Sequence, residues 1–223
     1  MCYIRKMKNT IIALFFILTL NSCGPKSKSS VDVAKKDSIA SFSQDDYPDY
    51  ENLDKSPDND EFIENLYRNK KYKFRIEYPN NWDVNHGKAI HSVFKAQKPD
   101  VGASITVNIM PWDGDAKPQF DHSDAEYANS VDQIKLTFAS QNITLINFNM
   151  DKAYLFNFPA YKIKCEYMLR MQEYEIPYSM LQIQCLHRGA IFTVVASMPT
   201  RAWTEEMSQM INNSINSFRF EDL

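Results

Sequence analysis

The sequence contains few glycines and none of the common motifs of catalytic or nucleotide-binding sites. Only five glycines occur in 223 residues, and one of them is Gly24, near the N-terminus. Loops that hold phosphate groups rely on glycines at fixed positions, so we expect no phosphate-binding loop. The patterns Gly-x-Ser-x-Gly, His-Glu-x-x-His and Cys-x-x-Cys are absent as well. We therefore predict a protein without enzymatic activity and without a cofactor.

The histidines and acidic residues do not form a recognisable metal-binding motif. His86 and His91 lie five residues apart, and a second polar group comprises Asp113, Asp115, Asp121, His122 and Asp124. A metal ion needs three or four such side chains converging on one point, and this spacing matches no known ligand set. We interpret them as solvated loop residues and predict no metal ligand.

Acidic residues slightly outnumber basic ones, with 28 Asp and Glu against 25 Lys and Arg and a formal net charge of -3. Three basic residues lie within residues 1–22, so the chain after this segment carries a formal charge of -6. Nucleic acids and anionic lipid headgroups favour clustered lysines and arginines. We therefore expect no nucleic-acid partner and no strong attraction to anionic lipids.

The first 22 residues have the organisation of an export signal. Arg5, Lys6 and Lys8 precede an almost unbroken apolar run at 11–20. This run is shorter than the roughly 20 residues of a transmembrane helix but suits a signal peptide. It ends in Leu-Asn-Ser followed by Cys23, which resembles the lipobox of bacterial lipoproteins. We predict a signal peptide at 1–22 and lipidation of Cys23; the alternative is an ordinary apolar cysteine within a signal.

The lipobox resemblance implies a diacylglyceryl group on Cys23, and usually a third acyl chain on its amine. Two or more chains anchor a protein stably, whereas one gives only marginal binding. We therefore expect a protein of the cell envelope, attached to a bacterial membrane through Cys23. The first expectation is the outer membrane with the domain facing the periplasm, and the inner membrane stays open as the alternative.

The segment 23–60 is predicted to be a lipidated, disordered tether. It mixes Ser, Lys, Asp and Pro and shows no sustained helical or strand period. Within it, Asp37-Ser38-Ile39 matches a short O-glycosylation pattern of one group of Gram-negative bacteria. A plain solvated linker is the favoured interpretation, and O-glycosylation of Ser38 is the alternative.

Residues 61–223 are predicted to form one α+β domain with a mostly antiparallel sheet flanked by two main helices. Apolar and polar residues alternate at 72–78 and 104–109. Further strands are expected near 145–150, 160–171, 177–187 and 190–198, the last two joined by a short turn at 187–189. The first helix carries an apolar face of Tyr127, Val131, Ile134 and Phe138, with Ser123 and Glu126 as a capping box. The second helix places Trp203, Met207, Met210, Ile211 and Ser214 on one face. Core packing is the favoured interpretation of Trp82, Trp112, Trp203, Met207 and Met210, and an apolar ligand pocket is the alternative.

The order of these segments resembles the PsbP-like domain of the Mog1/PsbP fold. The matching pieces are YKFRIEYPNNWDV from Tyr72, the ITVNI strand from Ile105, the first helix, the paired strands near Tyr161 and Phe192, and the closing NNSINSFRF. Pro159-Ala160-Tyr161 departs from the family, which commonly has a glycine before this tyrosine. The resemblance implies a binding or assembly module, and no residue set in this sequence maps onto the partner surface of a known relative.

Cys165 and Cys185 are the cysteines that remain in the predicted domain. Strand parity places both in the core, and a hairpin turn centred on Glu175 would set them directly opposite each other. An exported protein can form disulfides, so a Cys165–Cys185 bond and two buried free thiols are both left open.

Two functions remain as hypotheses from the sequence. The first is a membrane-anchored, non-catalytic module that binds an envelope protein or supports assembly. The second is a small-ligand carrier or an unrecognised hydrolase, which would need a deep pocket with convergent polar groups.

Overall fold

The computed structural model describes residues 56–87, 89–112, 124–140, 143–171 and 174–221. The signal segment, Cys23, Ser38, the polar loop 113–122 and the predicted cap at Ser123 lie outside these residues. Within them, eleven strands form two antiparallel sheets and two α-helices pack on the strands. The α+β class predicted from the sequence is therefore confirmed.

Strands dominate the chain order of the domain. The strands are β1 Asp60–Ile63, β2 Leu66–Asn69, β3 Phe74–Glu77, β4 Asp83–Asn85, β5 Ser92–Lys98, β6 Ala103–Pro111, β7 Thr144–Leu155, β8 Phe158–Met171, β9 Tyr174–His187, β10 Ala190–Pro199 and β11 Arg219–Phe220. The helices are α1 Asp124–Ser140 and α2 Glu205–Ser217.

The larger sheet has seven strands in the order β4-β5-β6-β10-β9-β8-β7. The β9–β10 hairpin turns at Arg188 and Gly189, whose φ angles are 46° and 72°. A two-residue turn with positive φ at both positions matches the right-handed twist of the flanking strands. The short turn predicted at 187–189 is therefore confirmed.

The smaller sheet has four strands in the order β1-β2-β3-β11. Its inner face carries Tyr67, Phe74, Ile76 and Phe220, all of them buried. A short 3-10 turn at Pro57–Asn59 leads into β1 at Asp60. Regular structure in the described residues therefore begins at Pro57, a few residues before the boundary at residue 61 that the sequence suggested.

The two helices cover opposite faces of the larger sheet. Ile134 and Phe138 of α1 pack in one apolar cluster with Ile163 and Tyr167 of β8. Met207 and other residues of α2 pack in a second cluster, which also contains the inner face of the smaller sheet. Burying each such side chain contributes about 1.5 to 3 kcal/mol, so the domain is stabilised by two separate cores.

The β8–β9 register corrects the predicted position of the cysteines. Tyr174 and Glu175 pair with Met171 and Arg170, so Glu175 belongs to the strand and not to the turn. Cys165 consequently lies opposite Met180, and Cys185 lies opposite Ala160. The two thiols are free and buried, one in each core, on opposite faces of the sheet. This geometry agrees with the free-thiol alternative and does not place the sulfur atoms for a disulfide.

Candidate binding clefts beside the second helix

Helix α2 packs on the larger sheet, with one row of its side chains in the core. Thr204 caps its N-terminus, because the hydroxyl accepts a hydrogen bond from the Met207 N–H at 3.2 Å. Glu205 and Glu206 in the first turn interact favourably with the positive end of the helix dipole. The buried row consists of Met207, Ile211, Ser214 and Ile215. The residues on either side of this row border two clefts.

The first cleft, named the Trp203 cleft, has a volume of about 460 Å³ and is open to solvent. Its walls come from β7, β8, β9, α2 and the turn before α2. Its lining includes Asn147, Asn149, Lys164, Glu166, Ser179, Leu181, Trp203, Ser208 and Asn212. Leu181 is buried at its base, and the other side chains surround it with amides, hydroxyls, one cation and one carboxylate.

Hydrogen bonds fix several polar groups of the Trp203 cleft. The Asn147 amide donates to Glu166 Oε2 at 2.8 Å, and the Asn212 amide donates to the Ser208 carbonyl at 2.8 Å. Ser179 Oγ donates to Thr200 Oγ1 at 3.0 Å. An amide or carboxylate can form more than one hydrogen bond, so these groups retain capacity for a ligand. Amides beside an indole ring suit a polar chain with some apolar surface, such as a peptide segment.

The second cleft, named the Trp82 cleft, lies on the other side of α2 and has a volume of about 520 Å³. It is lined by Asn65, Glu77, Tyr78, Pro79, Asn80, Asn81, Trp82, Lys98, Glu206, Met210, Asn213 and Ser214. The sequence Tyr-Pro-Asn-Asn-Trp forms the turn after β3, with Asn81 at a φ of 65°. The Tyr78 hydroxyl donates to the Glu64 carbonyl at 2.8 Å and holds this turn against the loop before β2. The Pro-x-x-Trp motif therefore shapes a wall of the cleft.

The predicted site residues lie in different places. Cys165 borders the Trp203 cleft but packs in the core under α1, and Cys185 lies in the core under α2. Burial raises the pKa of Cys165 to about 12, with a smaller contribution from the charge of Glu166. Burial also raises the pKa of Cys185. Both are therefore neutral thiols near pH 7, a state that is a poor nucleophile.

The histidines are not gathered into a metal site in the part of the chain that the structure describes. Within that part, no three His, Cys, Asp or Glu side chains are placed to hold one ion. His86 Nδ1 instead lies 2.7 Å from Asp60 Oδ2. The candidates Asp113, Asp115, Asp121 and His122 lie outside the described residues.

Neither cleft was located from the sequence, although Trp82 and Trp203 belong to the group for which an apolar pocket was the alternative. Trp203 was expected on the core face of the second helix, whereas it precedes α2, is only partly buried and lines a cleft. The walls of the Trp203 cleft come from strands and a helix far apart in the sequence. No local motif marks such a set, and only the Pro-x-x-Trp turn of the other cleft stands out in the sequence.

None of the described helices is both long and apolar enough to cross a membrane.

Comparison with solved structures gives distant similarities. Cyanobacterial PsbP (CyanoP) from Synechocystis sp. PCC 6803 is 19% identical, with a TM-score of 0.48 over 71% of this chain and 94% of that chain. LpqN of Mycobacterium tuberculosis, described as involved in cell envelope biogenesis, is 14% identical, with a TM-score of 0.44 over 66% of this chain and 83% of that chain. No curated protein sequence matches the chain.

The family model named PsbP matches residues 64–220, which is more than two thirds of the sequence. The match spans strands β2 to β11, both helices and the two clefts, and it confirms the resemblance seen in the sequence. The chain belongs to the PsbP family.

Proposed function

We propose that this protein is a lipid-anchored, non-catalytic binding or assembly module of the bacterial cell envelope. The signal-like segment and the lipobox-like sequence before Cys23 support the anchor and the location. Membership of the PsbP family supports a binding module rather than an enzyme. The partner is an envelope protein that contacts the α2 side of the domain.

The observation that carries the binding role is the pair of clefts on the two sides of α2. Both are open to solvent, and both combine a tryptophan with several amide side chains. An open groove with a lining that is about half polar differs from the mostly apolar, enclosed pockets that hold small molecules. It suits an extended segment of a partner protein, which can hydrogen bond to amides along its length.

A small-ligand carrier is the second candidate function, and the volume of the Trp203 cleft favours it. Its volume of about 460 Å³ falls in the range of roughly 300 to 1,000 Å³ that ligand pockets occupy. The hydrolase alternative has less support, because no histidine lines either cleft. A serine activated by a neighbouring histidine is therefore not available among the lining residues.

The binding face can be tested by site-specific photo-crosslinking in cells that make the intact protein. A photoreactive residue at Asn212 reports on the Trp203 cleft, and one at Asn213 reports on the Trp82 cleft. Lys135 of α1 is the matched control, because it is an exposed helical residue on the opposite face of the sheet. We expect a discrete crosslinked protein from position 212 or 213 and none from position 135. Equal products at all three positions, or none at 212 and 213, would contradict the proposal.

The anchor is tested separately by metabolic labelling with a radioactive or clickable fatty acid. Cys23→Ala should abolish the label and block processing of the precursor. Cys2→Ala is the matched control, because Cys2 lies in the predicted signal peptide, and it should leave labelling unchanged. Labelling that persists in Cys23→Ala would rule out the proposed anchor.

A further inference from the structure

The register of the smaller sheet aligns three arginines in one row across its solvent face. Arg68 of β2 is the direct partner of Arg75 of β3, and Arg75 is the direct partner of Arg219 of β11. Glu61 of β1 stands at the end of the row, opposite Arg68. Direct partners in antiparallel strands have Cβ atoms about 4.5 to 5.5 Å apart, and like charges at this distance destabilise the sheet. This arginine row therefore has an electrostatic cost unless anions offset it.

Among the described residues, carboxylates form ion pairs with only one of the three arginines, Arg68. Arg68 lies 3.2 Å from Glu61 Oε2 and 2.6 Å from Glu221 Oε2. Arg219 donates instead to the carbonyls of Asn216 and Phe218. The central Arg75 is exposed and has no ion pair among the residues that the structure places.

Two lysines extend the positive charge on the same face. Lys70 and Lys73 are the first and last residues of the β2–β3 connection, next to the arginine row. Lys70 pairs with Glu61 at 3.0 Å, whereas Lys73 is exposed and, in the described part of the chain, has no carboxylate partner. This face therefore carries an excess of positive charge, although the formal net charge of the whole chain is -3.

The sequence just before the folded unit has the opposite charge. Residues 45–54, which lie outside the described residues, contain five acidic and no basic side chains: Asp45, Asp46, Asp49, Glu51 and Asp54. The chain enters the smaller sheet next to its basic turn, because the Lys70 N–H donates to the Asn59 carbonyl at 2.8 Å. The acidic segment is thus attached beside the β2–β3 connection, which carries Lys73.

The acidic segment is long enough to reach the whole arginine row. Ten residues span up to about 33 Å when extended, and four neighbouring strands cover about 14 Å from first to last. A short covalent connection also gives an effective concentration on the order of millimolar, so weak ion pairs suffice for docking. We propose that the acidic segment 45–54 docks on the arginine row and neutralises Arg75 and Lys73.

An anionic membrane fits this face less well. Segments that bind anionic lipids carry about four to eight clustered basic residues, whereas Glu61, Glu77 and Glu221 interrupt this face. The acidic segment would also repel the same membrane. Its covalent attachment gives it an advantage over any external anion.

The docking can be tested on the full mature chain with a carbodiimide, which joins carboxylates and lysines that are in direct contact. Mass spectrometry should find Lys73 joined to Asp45, Asp46 or Asp49. Arg75→Glu should lower this yield about tenfold, because it replaces an attraction with a repulsion of similar size. Arg201→Glu is the matched control, since Arg201 is exposed on the turn before α2, away from the row, and it should not change the yield.

Folding does not confound this test. Arg75→Glu removes two like-charge contacts and should leave the urea midpoint equal or higher, which is measured in parallel. Failure to detect any crosslink from Lys73 to residues 45–49, or an unchanged yield in Arg75→Glu, would overturn the proposal. Binding of the wild-type chain to vesicles containing anionic phospholipid, lost in Arg75→Glu while the crosslinks are absent, would assign the row to a membrane and also overturn it.

Discussion

The buried carboxylate of Asp60 makes side-chain contacts that hold the first strand of the domain to its neighbours, and substitution of this residue tests how much those contacts stabilise the domain. Its side chain is 3% exposed. Oδ1 accepts hydrogen bonds from the Tyr67 hydroxyl at 2.6 Å and from the Asn69 amide at 2.9 Å. Oδ2 lies 2.7 Å from His86 Nδ1. One carboxylate thus connects β1, β2 and the segment after β4.

Asp60→Ala should lower the free energy of unfolding by about 3 to 5 kcal/mol, through the loss of its two hydrogen bonds. Hydrogen bonds to a charged group contribute about 1.5 to 3 kcal/mol each, and a buried donor that is left without an acceptor costs about 1 to 3 kcal/mol. The contributions of the two hydrogen bonds do not simply add, because the Tyr67 hydroxyl has a second acceptor, the Val93 carbonyl, at 3.2 Å. Asp60→Asn keeps one oxygen acceptor and should cost about half as much.

Urea unfolding followed by tryptophan fluorescence measures both variants, with the buried Trp82 as one reporter. Asp58→Ala is the matched control, because Asp58 is exposed in the adjacent 3-10 turn and should change stability by less than about 0.5 kcal/mol. If Asp60→Ala unfolds within about 1 kcal/mol of the wild type, the hydrogen-bond network does not stabilise the start of the domain and the reasoning is wrong.

The cores and α2 can be probed by substitution and by thiol chemistry. Phe74→Ala should cost about 3 to 5 kcal/mol in urea unfolding, because the ring is fully buried and stacks on Phe218 at 5.4 Å; a loss below about 1.5 kcal/mol would contradict this packing. Thr204→Ala should cost about 1 kcal/mol through loss of the helix cap, with Thr204→Ser as the conservative control that retains most of it. Cys165 and Cys185 should resist iodoacetamide at pH 8 in the folded protein, react in urea, and show no two-dalton mass deficit without reductant; rapid native labelling or a deficit would contradict two buried thiols. The thiols also predict the sign of a pH effect, because folding raises the pKa of both cysteines above the value of an exposed thiol. The stability that this difference in pKa contributes is fully present below the unfolded pKa of about 8.5. It is lost as pH rises from there towards the pKa of the folded state. A urea midpoint that increased between pH 8 and pH 10 in the wild type, relative to Cys165→Ser/Cys185→Ser, would contradict this sign.

The parts of the fold that could be predicted from the sequence are those with long periodic patterns. The apolar face of α1 is an example: Ile134 and Phe138 are buried, and Tyr127 and Val131 pack beside them. The β9–β10 hairpin was equally visible, because Gly189 marks a turn that needs positive φ. Local propensity and tertiary packing agree in these segments.

The smaller sheet was only partly predicted. Strands β1 and β2 have four residues each, too few for alternation to stand out, and β1 has two intermediate and two exposed residues.

The β8–β9 turn of the larger sheet was misplaced because Tyr174 and Glu175 extend the strand, where Glu175 pairs with Arg170 at 2.6 Å. Register decides which residues face each other, and a single sequence constrains it weakly in long hairpins.

Register also explains why net charge was a poor guide to the surface. The composition indicates a mildly acidic protein, which by itself predicts no basic face. Strand pairing nevertheless brings Arg68, Arg75 and Arg219 together, although Arg219 lies at the far end of the domain's sequence from the other two. The acidic side chains that balance them in the total include five in the segment 45–54. A nearly neutral sum can therefore hide two oppositely charged parts of one chain, and the covalent connection between them at the entry to β1 favours the proposed intramolecular contact.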